Sequence, residues 1–193
     1  IRTQLSNFKL YSKENNIDLF VLKKPSELTR IIDEQLPSVC IVVGWYWIIK
    51  EDLLKKVPKG FIGIHASLLP KYRGGAPLIW PIINGEKESG VTLFYFDAGM
   101  DSGDIVAQKK FIIENDDSIK EVLFKAEKLT IDLIKENYPL VLNDKTPKIK
   151  QNNENASYCS QRKPEDGKID WNKSSISIYN FIRAQTNPYP GAF

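Results

Sequence analysis

The sequence predicts an α/β fold in which a parallel-rich sheet is flanked by helices, and three observations carry the prediction. Val39-Cys40-Ile41-Val42-Val43 is an unbroken, largely β-branched run, the composition of a strand covered on both faces. Ser26 to Leu36, just before it, carries Leu28, Ile31, Ile32 and Leu36 at helical spacing. Phe61 to His65, shortly after it, is a second apolar run. Strands and helices alternating across short connections are the repeating unit of a parallel sheet.

The remaining elements follow in order. Ile17 to Leu22 is a short apolar run with the look of a strand. Trp47 to Val57 is expected to be a helix that Pro58 and Gly60 terminate. A further helix is expected from Ala76 to Asn84, closed by Gly85. Gly90 to Phe96 and Ile105 to Ile113 are β-rich and bracket the loop Asp97 to Asp104. Ser118-Ile119-Lys120-Glu121 is a capping box opening a helix to about Leu142, with Val122, Leu123, Ala126 and Leu129 on one face. From Asn143 to Ser157 the chain turns polar, which marks a linker. The expected division is a main domain over 1–150, then linker and the start of a small C-terminal appendage over 151–193, with a helix from Ser175 to Gln185. No internal repeat or low-complexity tract interrupts this order.

Composition excludes several functions. The 27 basic and 24 acidic residues leave a net charge of only +3, too little to argue for nucleic acid or a membrane surface. One histidine and two separated cysteines, Cys40 and Cys159, offer no zinc site of ordinary composition, so no metal is expected. Cys40, inside an apolar run, is expected to be a buried structural thiol. There is no apolar stretch of bilayer length and no signal-peptide pattern, and a cytoplasmic setting fits best. The chain opens with Ile1-Arg2-Thr3 and stops at Pro190-Gly191-Ala192-Phe193, which suggests a fragment or a processed product.

The single histidine, His65, ends an apolar strand and enters a loop rich in Pro and Gly, a place where α/β enzymes put catalytic groups. The second informative loop, Asp97-Ala98-Gly99-Met100-Asp101-Ser102-Gly103-Asp104, holds three carboxylates and two glycines. A carboxylate beside an imidazole fixes its tautomer and raises its basicity. Residue types alone leave three readings open: catalysis, a surface turn with a satisfied histidine, and a calcium loop. The calcium spacing departs from the twelve-residue pattern.

The string His65-Ala66-Ser67-Leu68-Leu69-Pro70-Lys71-Tyr72-Arg73-Gly74-Gly75-Ala76-Pro77, with Gly90-Val91-Thr92 and Met100-Asp101-Ser102-Gly103-Asp104, closely resembles the formyltetrahydrofolate-dependent formyltransferases. The likeness runs from about Val39 to Asp104. It implies a Rossmann-like domain, here lacking the family's first strand, with 10-formyltetrahydrofolate as co-substrate. It sets His65 and Asp101 at the family's catalytic positions. Trp47, Ile48 and Ile49 fall at the pterin-binding segment, and Gly75, Asp97, Ala98, Gly99 and Met100 at further folate contacts. One position departs: the family's usual Asn, two residues before the histidine, is Gly63. A lost oxyanion donor costs about a hundredfold or more in rate.

Tyr72 to Trp80, with Asp170-Trp171 and Asn187-Pro188-Tyr189-Pro190-Gly191, is most similar to the sugar-nucleotide branch of that family. The resemblance therefore implies an amino-sugar nucleotide as acceptor, within O-antigen lipopolysaccharide biosynthesis, with Ser67, Asn187 and Tyr189 on the acceptor side. His65 would be general base and then acid, oriented by Asp101. A homodimer is compatible with this reading. Methionyl-tRNA formyltransferase and formyltetrahydrofolate hydrolase are the alternatives, and Gly63 keeps a catalytically silent binding module in view.

Overall fold

A computed structural model of the chain describes residues 5–193; the opening Ile1-Arg2-Thr3 lies outside the described residues. The chain divides into two compact units, one up to Pro37 and one from Ser38.

The first unit holds two helices, α1 (Leu5–Asn15) and α2 (Glu27–Gln35). The sequence reading did not anticipate α1. Its end is a left-handed residue, Asn16 at φ +52°, a conformation Asn tolerates better than most residues. On α2 the pair Arg30–Glu34, 2.8 Å apart at i,i+4 spacing, supports the exposed face. Ile17 to Leu22 is a correction: no strand forms there, and Ile17, Leu19, Phe20 and Val21 are exposed. An apolar run becomes a strand only when another strand takes up its backbone groups, and among the described residues none does.

The second unit is built on a four-stranded mixed sheet in the order β1 (Cys40–Val42), β2 (Phe61–His65), β4 (Glu88–Tyr95), β5 (Ile105–Ile112). β1 and β2 are parallel, as the alternation predicts, with Cys40 opposite Phe61. β4 lies antiparallel to β2, placing His65 opposite Thr92, and β5 antiparallel to β4. The α/β class stands, and within this sheet the parallel part is the β1–β2 pair.

The crossover helix α3 is only Glu51–Leu54, shorter than the expected Trp47 to Val57. Trp45 and Trp47 instead pack edge to face, 5.2 Å between ring centres, holding the preceding segment as a loop. The helix begins where Glu51 and Asp52 put negative charge in its first turn, which the helix dipole favours. Cys40 is half-buried, less enclosed than expected, and burial raises its thiol pKa.

α5 (Ile119–Leu142) begins at the predicted capping box: Glu121 accepts from the Ser118 backbone N–H at 2.9 Å, and the Ser118 hydroxyl accepts from Lys120 N–H. Ile119, Val122, Ala126, Leu133 and Val141 of α5 join Val91, Leu93, Val106 and Phe111 of the sheet in the main core. Leu78 with Ile79 and Ile82 of α4 (Ile79–Ile83), and Ala184 of α6 (Ser175–Ala184), close the same core. Gly85 follows α4 at φ +70°, as a helix-closing glycine does.

The polar segment predicted as a linker is fastened into this unit. Ile149 exchanges both backbone hydrogen bonds with Ile105, at 2.8 and 2.9 Å. Beyond it, β6 (Tyr158–Cys159) pairs parallel with β3 (Arg73–Gly74). Gln151 and Asn153 of the polar segment accept hydrogen bonds from the buried Arg73 guanidinium, which is why a polar run packs here.

Candidate active site

The site is built where β2 ends and two loops return to it. His65, the last residue of β2, is only 7% exposed. Its Nε2 lies 2.7 Å from the Tyr72 carbonyl oxygen, and because a carbonyl only accepts, Nε2 carries the proton. Tyr72 presents that carbonyl from the left-handed region, at φ +58°. With Nε2–H committed, Nδ1 is the ring nitrogen that faces the second loop. It lies 3.6 Å from Asp101 Oδ2.

Asp101 also sits at positive φ, +50°, an uncommon conformation for a residue with a Cβ. Its Oδ2 accepts a 2.8 Å hydrogen bond from the Gly74 backbone N–H. The loop that carries it is braced internally: Asp97 accepts from Gly99 N–H at 3.0 Å and from the Ser102 hydroxyl at 2.8 and 3.0 Å. Gly103 is required by space, since a Cβ there would stand 1.8 Å from the Tyr95 carbonyl oxygen. Cys159 lies beside this carboxylate; burial first, then the Asp101 charge, pushes its thiol pKa up to about 11.

Gly63 is explained by its neighbour. A Cβ at this position would lie 2.1 Å from Cε2 of Phe96, so the aromatic ring occupies the space where a longer side chain would project. Phe96 is stacked on Phe94 at 5.2 Å, and Phe94 in turn stands edge-on to His65 at 6.4 Å. Where the family resemblance leads one to expect an amide, this chain has a phenyl ring.

The other predicted residues fall at different depths. Trp47 and Ile48 are exposed, as is Met100, and each is large and apolar. Among the described residues, the buried indole N–H of Trp45 in the same segment has no hydrogen-bond partner. Ile49 is buried and is a core residue by its side chain. Ala98 and Gly99 are exposed in the Asp loop. Gly75 is crowded by the segment that follows β6: a Cβ would meet the Gln161 backbone at 2.5 Å, and its N–H donates to Cys159 O. Packing therefore accounts for this glycine without a ligand. Ser67 is fully enclosed; its hydroxyl donates to Lys71 O at 2.6 Å and its carbonyl accepts from Thr92, so it braces the turn. Asn187 is exposed, whereas Tyr189 is partly buried against the core. Burial, and then the nearby Tyr46 phenol, raise the Tyr189 pKa.

Sequence reasoning missed Arg73 and Gln151. Arg73 stood inside the quoted string, but nothing local shows that a guanidinium there is 1% exposed or that its partners lie about eighty residues on. Among the described residues, no group of three or more His, Cys, Asp or Glu side chains is placed to hold a metal ion.

The site thus pairs a buried histidine at a strand end with a partly exposed aspartate on the facing loop of a mixed α/β sheet, an arrangement suited to proton transfer. Residues 9–136 match the formyl transferase family and residues 162–193 the formyl transferase C-terminal domain. The chain belongs to the formyl transferase family. It is 38% identical to the bifunctional polymyxin resistance protein ArnA of Wigglesworthia glossinidia brevipalpis, over 97% of this chain and 29% of that protein. It is 34% identical to methionyl-tRNA formyltransferase of Acetivibrio thermocellus, over 100% of this chain and 62% of that one. Among solved structures, the N-formyltransferase of Helicobacter canadensis in complex with folinic acid and dTDP-3-aminofucose superimposes with a TM-score of 0.73. It is 33% identical, covering 91% of this chain and 62% of that one. The chain thus spans 29% to 62% of the length of these proteins.

Proposed function

We propose that this protein transfers a formyl group from 10-formyltetrahydrofolate to the amine of an amino-deoxy sugar nucleotide. The observation that carries the reading is the buried His65, anchored through Nε2–H on the Tyr72 carbonyl and facing Asp101 through Nδ1. The acceptor amine attacks the formyl carbon, and the carbonyl electron pair moves to oxygen. His65 Nδ1 takes the proton that the nitrogen sheds. It returns a proton to the folate nitrogen as the tetrahedral intermediate collapses and the old C–N bond breaks. Asp101 steadies the imidazolium between those two steps.

Exposed Trp47, Ile48 and Met100 and the unpaired Trp45 indole N–H suit a flat, polar-edged ring system such as a pterin. Asp97, Ala98 and Gly99 then contribute as loop backbone, and Asn187 and Tyr189 serve the acceptor. Ser67 and Gly75 act as framework. The sugar nucleotide is favoured by the likeness to the Helicobacter canadensis enzyme, whose complex holds folinic acid and dTDP-3-aminofucose. Methionyl-tRNA is the second reading, favoured by the 34% identity to the Acetivibrio thermocellus protein.

The test supplies 10-formyltetrahydrofolate with three kinds of acceptor: a panel of amino-sugar nucleotides, methionyl-tRNA, and water alone. Expected is the mass gain of one formyl group on an amino-sugar nucleotide. Formylation of methionyl-tRNA only, or release of formate without an acceptor, overturns the reading.

A further inference from the structure

We infer that Gln151 is a positioning residue for the reaction: its amide couples the buried Arg73 to the backbone of the loop that presents Asp101. This rests on the reading of His65 and Asp101 given above. Among the described residues, Arg73 is the largest fully enclosed side chain, at 1% exposure. Its hydrogen-bond acceptors are all uncharged. Nε and Nη2 reach Gln151 Oε1 at 3.1 and 2.7 Å, Nη2 reaches Asn153 Oδ1 at 2.9 Å, and Nη1 reaches the Tyr158 hydroxyl at 3.1 Å. The guanidinium also lies over the Tyr158 ring, 5.8 Å from its centre.

A buried cation held by neutral oxygens is an expensive way to fill a core, because pairing with a carboxylate recovers more of the desolvation cost. The arrangement gains something else. With Oε1 fixed by two guanidinium donors, the Gln151 amide has one orientation, and its Nε2–H groups must point the other way. They donate to Asp101 O at 2.9 Å and Gly103 O at 2.7 Å. The Asp101 side chain is caught from the opposite side by the N–H of Gly74, the residue after Arg73. A closed circuit results, from Arg73 through Gln151 to the Asp101 main chain, and through the Asp101 carboxylate to Gly74. It fixes Asp101 in its positive-φ conformation and so sets the 3.6 Å approach to His65 Nδ1. Gln151 touches neither His65 nor the reacting atoms in this scheme; it acts through Asp101.

Gln151→Glu separates the two halves of this circuit. The carboxylate still satisfies Arg73, and more strongly, but it has no N–H for the Asp101 and Gly103 carbonyls. In the full chain, Gln151→Glu is expected to lower kcat for formyl transfer at least tenfold, with the KM for 10-formyltetrahydrofolate unchanged within threefold. The pH dependence of kcat is expected to shift, because the His65–Asp101 pair is respaced. If Gln151 only fills space around Arg73, the glutamate variant keeps the wild-type kcat and pH profile, and that result overturns the inference. Should the glutamate variant fail to fold, Gln151→Asn keeps the amide but withdraws it by one methylene. A kcat loss with an altered pH profile then supports the inference, and a wild-type profile overturns it. An unmodified chain that formylates no acceptor overturns the proposed function together with the inference. An active chain with an indifferent Gln151 overturns the inference alone.

Discussion

At the scale of single residues, the site turns on which atoms are already committed. His65 has one nitrogen bound to a backbone carbonyl and one beside Asp101, so only one nitrogen is left for proton transfer. His65→Ala is expected to lower kcat by about 10²–10⁴-fold, the usual worth of a positioned acid–base group. A melting temperature close to wild type would show that the fold persists, and a retained kcat would refute the assignment. Gly63 makes a second prediction. An Asn there would drive its Cβ into Phe96, which is backed by buried Phe94, so Gly63→Asn should destabilise by about 1–3 kcal/mol, as overpacked sites do. Adding Phe96→Ala should recover part of that loss in thermal denaturation. If Gly63→Asn alone melts like wild type, the ring yields freely and the steric argument is wrong. Cys159 gives a pH prediction with a definite sign. Its thiol is raised in the folded state from the ordinary 9.0 to about 11, so between those values the unfolded chain has lost a proton that the native chain keeps. Stability from this group is whole below about pH 9 and drains away as pH climbs towards 11. Cys159→Ala should flatten the fall in melting temperature over that window. His65 and Gly63 stand out in the sequence beside one contiguous string, and Asp101 within a second short one. Phe96 filling the gap was not legible there, because which ring leans over Gly63 depends on packing between β2 and the residue following β4.

At the scale of elements, legibility followed the source of each element's stability. β1, β2, β4, β5, α2 and α5 appear where periodicity and caps put them, because their apolar faces and end groups are local properties of the chain. The Ser118 capping box is the clearest instance, and Ser118→Ala is expected to cost about 1 kcal/mol, read as a lowered denaturation midpoint with unchanged slope. An unchanged midpoint would mean that tertiary packing alone fixes the start of α5. The differences come from side-chain partners that periodicity does not weigh, one of them near in sequence and the others distant. The expected helix from Trp47 to Val57 contracted to Glu51–Leu54 as Trp45 and Trp47 packed on each other. The polar run after Asn143, expected to be a linker, is held by Arg73, Ile105 and the Asp101 loop. Polarity there signals buried hydrogen-bond partners as well as solvent.

At the scale of the whole molecule, electrostatics distinguishes the two acceptors that family membership leaves in competition. A tRNA is read first through its phosphates, and a protein engaging six to ten of them loses about 10³–10⁵ in affinity between 50 and 200 mM salt. This chain carries 27 basic and 24 acidic residues. Several lysines are taken up locally: Lys55 by Glu51, Lys109 by Glu136, Lys110 by Glu88 and Lys125 by Asp117. Two of the arginines, Arg73 and Arg162, are turned inward onto aromatic rings. A sugar nucleotide, by contrast, brings only two phosphates to the site. The kcat/KM for the acceptor is therefore expected to change by less than about tenfold across that salt range, because few counterions are released when a diphosphate binds. Steady-state assays at four salt concentrations, at saturating 10-formyltetrahydrofolate, measure the slope directly. A log–log slope steeper than about −3 would require several phosphate contacts at once, and would move the assignment to a nucleic-acid acceptor.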